Sequence, residues 1–116
     1  MAFAAQIDKL IGKLTDLTRA EKVVWQDTAD ENAFLTSVGN STVIVGRLRS
    51  DPAAPCFIRV LDDAGKTVEE AFAPAVGDTT LEDWDRLRTL HELARRSALK
   101  SDKVVSDLLS TLEAIR

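Results

Sequence analysis

One stretch of the chain decides the fold class: residues 33–72 read AFLTSVGNSTVIVGRLRSDPAAPCFIRVLDDAGKTVEEAF. Gly39-Asn40 separates its first two runs of β-branched and apolar side chains, and this pair suits a type II′ turn between paired strands. Gly65 ends a second tight turn, and two prolines mark a loop in the chain between the two turns. Short strands joined in this way predict a four-stranded antiparallel meander. The strands are expected at residues 33–38, 41–49, 56–61 and 66–72.

Helical periodicity flanks this stretch on both sides. Upstream, apolar residues at spacings of three and four predict an amphipathic first helix with the stripe Phe3, Ile7, Leu10, Leu14 and Leu17. Downstream, Thr79 and Glu82 have the spacing of a capping box and predict the start of a second helix. Ser101 is predicted to cap a third helix, whose inward stripe is Val104, Val105, Leu108, Leu109, Leu112 and Ile115. The order predicts a single α+β domain over residues 1–116, with the two C-terminal helices packed on one sheet face.

Composition excludes several classes of protein. The chain has 116 residues, one cysteine and one histidine, so it can form neither an internal disulfide nor an ordinary structural zinc site alone. No apolar run approaches the roughly 20 residues that cross a bilayer, and the first nine residues are too polar for a signal peptide. The net charge of −4 has the wrong sign for binding nucleic-acid phosphates. We therefore expect a cytoplasmic protein that binds neither a membrane nor nucleic acid.

Two side chains are candidates for acid–base or nucleophilic chemistry, His91 and Cys56. A general base needs an acid or nucleophile nearby, and Asp85 and Glu92 are acids close to His91 in sequence. Cys56 begins a predicted strand, where cysteine most often behaves as a small buried apolar residue. The glycine-rich loops that hold phosphates and the acidic loop that binds calcium are both missing, so no cofactor and no metal site is predicted. No catalytic residue is assigned.

The arginines of the predicted sheet form the candidate binding surface. Alternation along the second strand puts Val43, Val45, Arg47 and Arg49 on one face, and the pairing register decides whether Arg59 of the third strand joins them. Arginine binds carboxylates and phosphates in bidentate geometry, so such a patch would suit an acidic partner. The alternative is a set of solvated charges balanced across strands by Glu69 or Glu70 of the fourth strand. Because the two valines share the arginine face, that face is either partly covered by the first helix or packed against another chain.

Three segments of the chain, at residues 31–40, 59–66 and 90–99, resemble small uncharacterised bacterial α/β proteins of about this length. The resemblance covers nearly the whole chain and rests on structural motifs. It implies a bacterial cytosolic protein and brings no catalytic or binding residue with it.

Apolar residues on both sheet faces and on both outer helices exceed what one chain can cover, which favours a protein partner or a second copy. We therefore predict a non-enzymatic protein-interaction module that binds another protein, or a second copy of itself as a homodimer, through an exposed sheet face. Its expected binding residues are Arg47, Arg49, Arg59, Val43 and Val45. A small enzyme or ligand-binding protein with a site around His91 is the alternative.

Overall fold

The computed structural model describes residues 5–51, 54–73 and 81–115. Three helices and five strands follow one another in the order α1 (Ala5–Arg19), β1 (Gln26–Asp27), β2 (Ala33–Val38), β3 (Ser41–Arg47), β4 (Cys56–Leu61), β5 (Thr67–Ala73), α2 (Leu81–Leu99) and α3 (Ser101–Ala114). The predicted α+β class is therefore confirmed, with one helix before the sheet and two after it. Phe3 and Thr79, used above to predict helix boundaries, lie outside the described residues.

The strands form one antiparallel sheet in the order β1-β2-β3-β4-β5. The four predicted strands correspond to β2–β5, but the prediction of four strands is corrected by β1, which pairs Gln26 with Leu35 and Asp27 with Phe34. A two-residue strand is too short to show a period of two. A contact next to this strand holds it against β2: the Thr36 hydroxyl donates a hydrogen bond to the carbonyl of Val24 at 2.8 Å.

The two tight turns follow from their glycines. Gly39 has a φ of 61° and Gly65 a φ of 80°, both in the left-handed region that favours glycine. Val38 pairs with Ser41 across the first turn, so a loop of two residues beginning with glycine joins β2 to β3, as the sequence predicts.

Helices α1 and α2 cover one face of the sheet. They contact each other, and Arg86 of α2 donates hydrogen bonds to the Oδ1 atom and the carbonyl oxygen of Asp8 in α1, both at 3.0 Å. Between these helices and the sheet lies the hydrophobic core, built from Ile7, Ile11, Leu14, Trp25, Phe34, Val43, Val45, Cys56, Ile58, Ala73, Leu87, Leu90 and Ala94. Each strand from β2 to β5 gives the core alternate side chains, so the intervening side chains face away from the helices.

Helix α3 departs from the prediction that both C-terminal helices pack on the sheet. Its contact is with α2, and the side chains of residues 103–115 are all exposed. Lys100, with φ 53° and ψ 43°, is the single residue between the two helices, and this left-handed conformation turns α3 out of the line of α2. The stripe predicted to point inward therefore lies in solvent, and the molecule measures 57 × 32 × 26 Å.

Candidate functional site

The five residues of the predicted binding surface do not lie together. Val43 and Val45 are only 4% and 0% exposed and belong to the core beneath the helices. The alternation along β3 was correct, but the face that carries these valines is the covered one. They are therefore not available to a partner on the surface of the folded chain, and the expected placement on an open face is corrected.

The three arginines are separated by the same alternation. Arg47 shares the helix-covered face and is half-buried, with an Nε atom that is buried and makes no hydrogen bond. Arg49 lies beyond the end of β3, exposed, with its Nη2 atom 4.0 Å from Oδ2 of Asp51. Arg59 pairs with Ile44 in the register and so points to the opposite face from Arg47. The register thus excludes one patch made from all three.

The alternative interpretation of Arg59 is confirmed by its partner. Glu70 of β5 lies directly opposite in the register, and the Arg59 Nε atom donates a hydrogen bond to its Oε2 atom. The two side chains are 35% and 32% exposed, so this is a partly solvated ion pair across neighbouring strands. The guanidinium carbon also lies 5.0 Å from the ring centroid of Phe57, a distance suited to a cation–π contact.

The sheet face opposite the helices, which we call the open face, carries one row of apolar residues and one mixed row. Ala33, Gly46, Phe57 and Phe72 stand opposite one another across β2–β5, and the next row is Leu35, Ile44, Arg59 and Glu70. None of these side chains belongs to the core cluster that contains the helix residues. Leu35, Ile44 and Phe72 keep part of their surface exposed, so in the part of the chain that the structure describes no helix covers them.

Two aromatic rings form the middle of the open face. Phe57 and Phe72 have ring centroids 6.1 Å apart with planes tilted by 47°, a favourable aromatic arrangement. The Phe57 ring lies on Gly46, where a Cβ atom would stand only 2.6 Å from its Cζ atom. Glycine at this position therefore leaves room for the ring beside the neighbouring strand, and Phe57 is only 5% exposed.

His91 lies in the wall of a cleft of about 550 Å³ between α2 and the segment that joins β1 to β2. It is 2% exposed, and its Nε2 atom donates a hydrogen bond to the carbonyl of Asn32 at 2.9 Å. Burial lowers the pKa of His91, and the nearby Arg47 lowers it further, so the imidazole is neutral at pH 7. Arg47 and Arg95 line the same cleft.

The acids considered as partners of His91 are engaged elsewhere. Asp85 accepts a hydrogen bond from Arg88 at 2.7 Å. Glu92 accepts hydrogen bonds from Arg95 and Arg96, and the bond from Arg95 is the main reason that the pKa of Glu92 is lowered. The histidine therefore ties α2 to the chain near Asn32, and the geometry shows no acid–base pair at this site.

Cys56 has no access to solvent. It is 0% exposed in the core, and burial raises the pKa of its thiol to about 11. A thiol with that pKa is protonated at neutral pH and is a poor nucleophile. The side chain fills space between the sheet and the helices.

A second cleft, of about 430 Å³, lies where α1 and α2 end, and four cationic side chains line it: Arg19, Arg96, Lys100 and Lys103. Cations are favoured at helix C-termini, where the carbonyl groups carry partial negative charge. Arg96 and Lys103 also pair with Glu92 and Asp107. The helix ends and these ion pairs explain the positive charge without a ligand.

The described residues contain neither a metal-binding cluster nor a helix that could span a membrane. No three His, Cys, Asp or Glu side chains lie close enough together to hold a metal ion. None of the helices described is both long and apolar enough to cross a membrane. Comparisons with protein families, with curated proteins and with solved structures find no match.

The sequence-based interpretation missed the apolar residues of the open face, Leu35, Ile44, Phe57 and Phe72. One signal was available. Placing Arg59 opposite Glu70 fixes the register of β4 and β5, and the same register puts Phe57 opposite Phe72 on the face of that ion pair. An ion pair belongs on the more solvated face, which would have assigned the two phenylalanines to the open face.

Proposed function

We propose that this chain is a non-enzymatic protein-interaction module that binds another polypeptide on the open face of its sheet. One observation carries the proposal: the apolar side chains that cross β2–β5 on the side away from the helices. An antiparallel sheet with one covered face normally presents polar residues on the other. Here that face also carries the apolar side chains of Leu35, Ile44 and Phe72, each of them partly exposed.

The charge at this face supports a polypeptide as the ligand. Arg59, one of the residues predicted to bind a partner, lies beside Phe57 and is paired with Glu70. Arginine and aromatic residues are enriched at protein interfaces, where the guanidinium group can stack and donate hydrogen bonds together. An apolar centre with an ion pair at its side therefore has the composition of a docking surface.

Site-specific photo-crosslinking tests this function. Benzoylphenylalanine placed at Ile44 would lie on the open face, and the same group at Lys13, an exposed residue of α1, is the matched control. Irradiation of cells that express each variant should give a crosslinked protein product from position 44 and none from position 13. Absence of a product at 44, or equal products at both positions, would overturn the proposal.

A second candidate function, a small enzyme or ligand-binding protein, would use the cleft beside His91. The observation in its favour is the buried Nε atom of Arg47, which makes no hydrogen bond although Arg47 lines that cleft. A carboxylate ligand would supply the missing acceptor. Titration with small carboxylic acids should then shift the ring resonances of His91 in the native protein but not in an Arg47→Met variant.

The proposal also includes a bacterial source and a cytoplasmic location, as the resemblance of residues 31–40, 59–66 and 90–99 implies. Fractionation of the native cells tests the location: the chain should be recovered with cytosolic markers, and recovery with the membrane or exported fraction would contradict it.

A further inference from the structure

We propose that the polypeptide on the open face is helix α3 of a second copy of this chain, exchanged reciprocally in a twofold dimer. This inference rests on the proposed function, because it names the occupant of the same face. Its starting point is that one chain carries two apolar surfaces of complementary kind. One is a sheet face without a helix, and the other is a helix without a sheet.

The apolar stripe of α3 is fully available. Its side chains, 53–66% exposed, are Val104, Val105, Leu108, Leu109, Leu112 and Ile115. They span about 140° of the helix surface at about 100° per residue, which is wider than the narrow seam of a two-stranded coiled coil. Lys103 and Asp107 form an ion pair at 2.9 Å on the other side of the helix. This pattern is typical of a helix that lies on a broad apolar surface.

The chain's own sheet cannot supply that surface. Helix α2 packs on the covered face, and α3 begins one residue after α2 ends, with Lys100 directing it away from the core. To reach the open face of the same sheet, α3 would have to pass around a sheet edge with Lys100 as its only connecting residue. The open face of another molecule needs no such connection.

The two surfaces agree in size. From Val104 to Ile115 the helix rises about 17 Å at about 1.5 Å per residue. Across β2–β5 the open face measures about 14 Å, from three strand spacings of about 4.8 Å. The apolar stripe is therefore long enough to cross all four strands, over Leu35 and Ile44 on β2 and β3 and Phe72 on β5.

The buried area favours exchange over pairing of α3 with α3. A helix contact about 17 Å long and 10 Å wide has a footprint of about 170 Å² on each surface. Pairing of two α3 helices uses two such surfaces, whereas reciprocal exchange uses four, about 700 Å² in all. Exchange therefore covers about twice the area that pairing of the α3 helices covers, and so comes nearer to the roughly 1,200 Å² of a stable interface. Twofold symmetry then satisfies both apolar surfaces of both copies.

Light scattering during size-exclusion chromatography tests the exchange with three variants of the full chain. Leu108→Asp places a charge in the α3 stripe, and Ile44→Asp places one in the open face. Ser106→Asp, on the polar side of α3, is the matched control. The native chain and Ser106→Asp should be dimers, and the other two should be monomers, with circular dichroism confirming that each variant is folded.

Mixing the two monomeric variants separates exchange from every symmetrical alternative. In a 1:1 mixture, the intact α3 of Ile44→Asp can lie on the intact open face of Leu108→Asp. One of the two contacts is restored, so the mixture should form heterodimers more weakly than the native chain forms dimers. A native chain that stays monomeric, an Ile44→Asp variant that stays dimeric, or a mixture without heterodimers would each overturn the exchange.

The crosslinking experiment distinguishes failure of the α3 exchange from failure of the proposed function. A product at position 44 that contains two copies of this chain supports both. A product that contains a different protein supports the proposed function and overturns the exchange. No product at position 44 overturns both.

Discussion

Gly46 shapes the centre of the open face at the scale of single residues. Its lack of a side chain lets the Phe57 ring lie on the strand, and the ring then contacts Phe72 and the Arg59 guanidinium. One apolar row is continuous across the sheet because position 46 has no side chain. Glycine in a strand usually weakens the strand, and here a neighbouring aromatic ring fills the gap.

Gly46→Ala should destabilise the native protein by more than it destabilises one that lacks the Phe57 ring. The new Cβ atom would lie 2.6 Å from Phe57, so the ring must leave the strand, at a cost of about 1–2 kcal/mol. In a Phe57→Ala background the same change should cost less than about 1 kcal/mol, because the Cβ atom of Ala33 at 3.1 Å is the tight contact that remains and alanine restricts the unfolded chain. Urea unfolding of the four proteins in this cycle measures the coupling. Equal effects in both backgrounds would contradict the contact.

His91 should make stability depend on pH below about 7. Burial lowers the pKa of His91 below its ordinary value of 6.5, so the unfolded chain takes up a proton that the folded protein does not. The free energy of unfolding should therefore fall as the pH drops below 6.5, by at most about 1.4 kcal/mol per pH unit, until the folded pKa is reached. Because His91 is the only histidine, a His91→Gln variant should lack this component.

Urea titrations of both proteins at several pH values give the comparison. The stability difference between native protein and His91→Gln should shrink as the pH falls through this window. A difference that is constant from pH 7 to pH 5 would show that the imidazole titrates equally in both states, contrary to its burial.

The end of α1 illustrates the element scale. The Lys22 amide donates to the Leu17 carbonyl at 2.9 Å and the Glu21 amide to the Thr18 carbonyl at 3.0 Å, which together form a Schellman motif. Glu21 occupies its left-handed position with a φ of 59°, where glycine is usual. The exposed glutamate therefore carries backbone strain. Its side chain also forms no ion pair among the described residues.

Glu21→Gly should raise the free energy of unfolding by about 0.5–1 kcal/mol, because glycine adopts this φ without strain. Glu21→Ala removes the same charge but keeps the Cβ atom, so it is the matched control and should change stability little. Thermal unfolding measures both. A Glu21→Ala variant as stable as Glu21→Gly would assign the gain to charge instead.

Helices α2 and α3 should respond in opposite ways to the same substitution. Leu87 of α2 is 0% exposed, so Leu87→Ala should cost about 2–5 kcal/mol through lost burial and a cavity. Leu108 of α3 is 56% exposed, so Leu108→Ala should cost less than about 1 kcal/mol in dilute, monomeric protein. Urea unfolding at low concentration tests this, and similar losses for both would contradict the placement of α3.

The predictability of these elements depended on their length. Strands β2–β5 have six or seven residues each, long enough for alternation and turn residues to predict them, whereas the two residues of β1 show no period. Alternation in β3 separated Val43 from Ile44 but could not tell which of them faces the helices. That choice depends on the register, which sets Val45 opposite Ile58 in the core and Ile44 opposite Arg59 outside it.

The same limit applies to α3. Its stripe indicates that some apolar surface covers it, and spacing along a helix carries no information about which molecule supplies that surface. The left-handed Lys100 decides the direction of α3, and lysine is not a residue that predicts such a conformation.

At the scale of the whole molecule, one chain leaves two apolar surfaces uncovered, the open face and the stripe of α3. A helix that extends from the domain makes the molecule 57 Å long and leaves six apolar side chains in solvent. A monomer would expose that stripe together with the open face, and exposed patches of this kind mark interaction sites in soluble proteins. Reciprocal exchange covers both with the same contact.

The most direct test of this account is an isotope-filtered NOE measurement on a mixture of labelled and unlabelled copies. The account predicts NOEs between the Ile44 methyl groups of one copy and the Leu108 or Leu112 methyl groups of the other. Intermolecular NOEs confined to α3 against α3, or none from Ile44 at concentrations where the chain is a dimer, would contradict it.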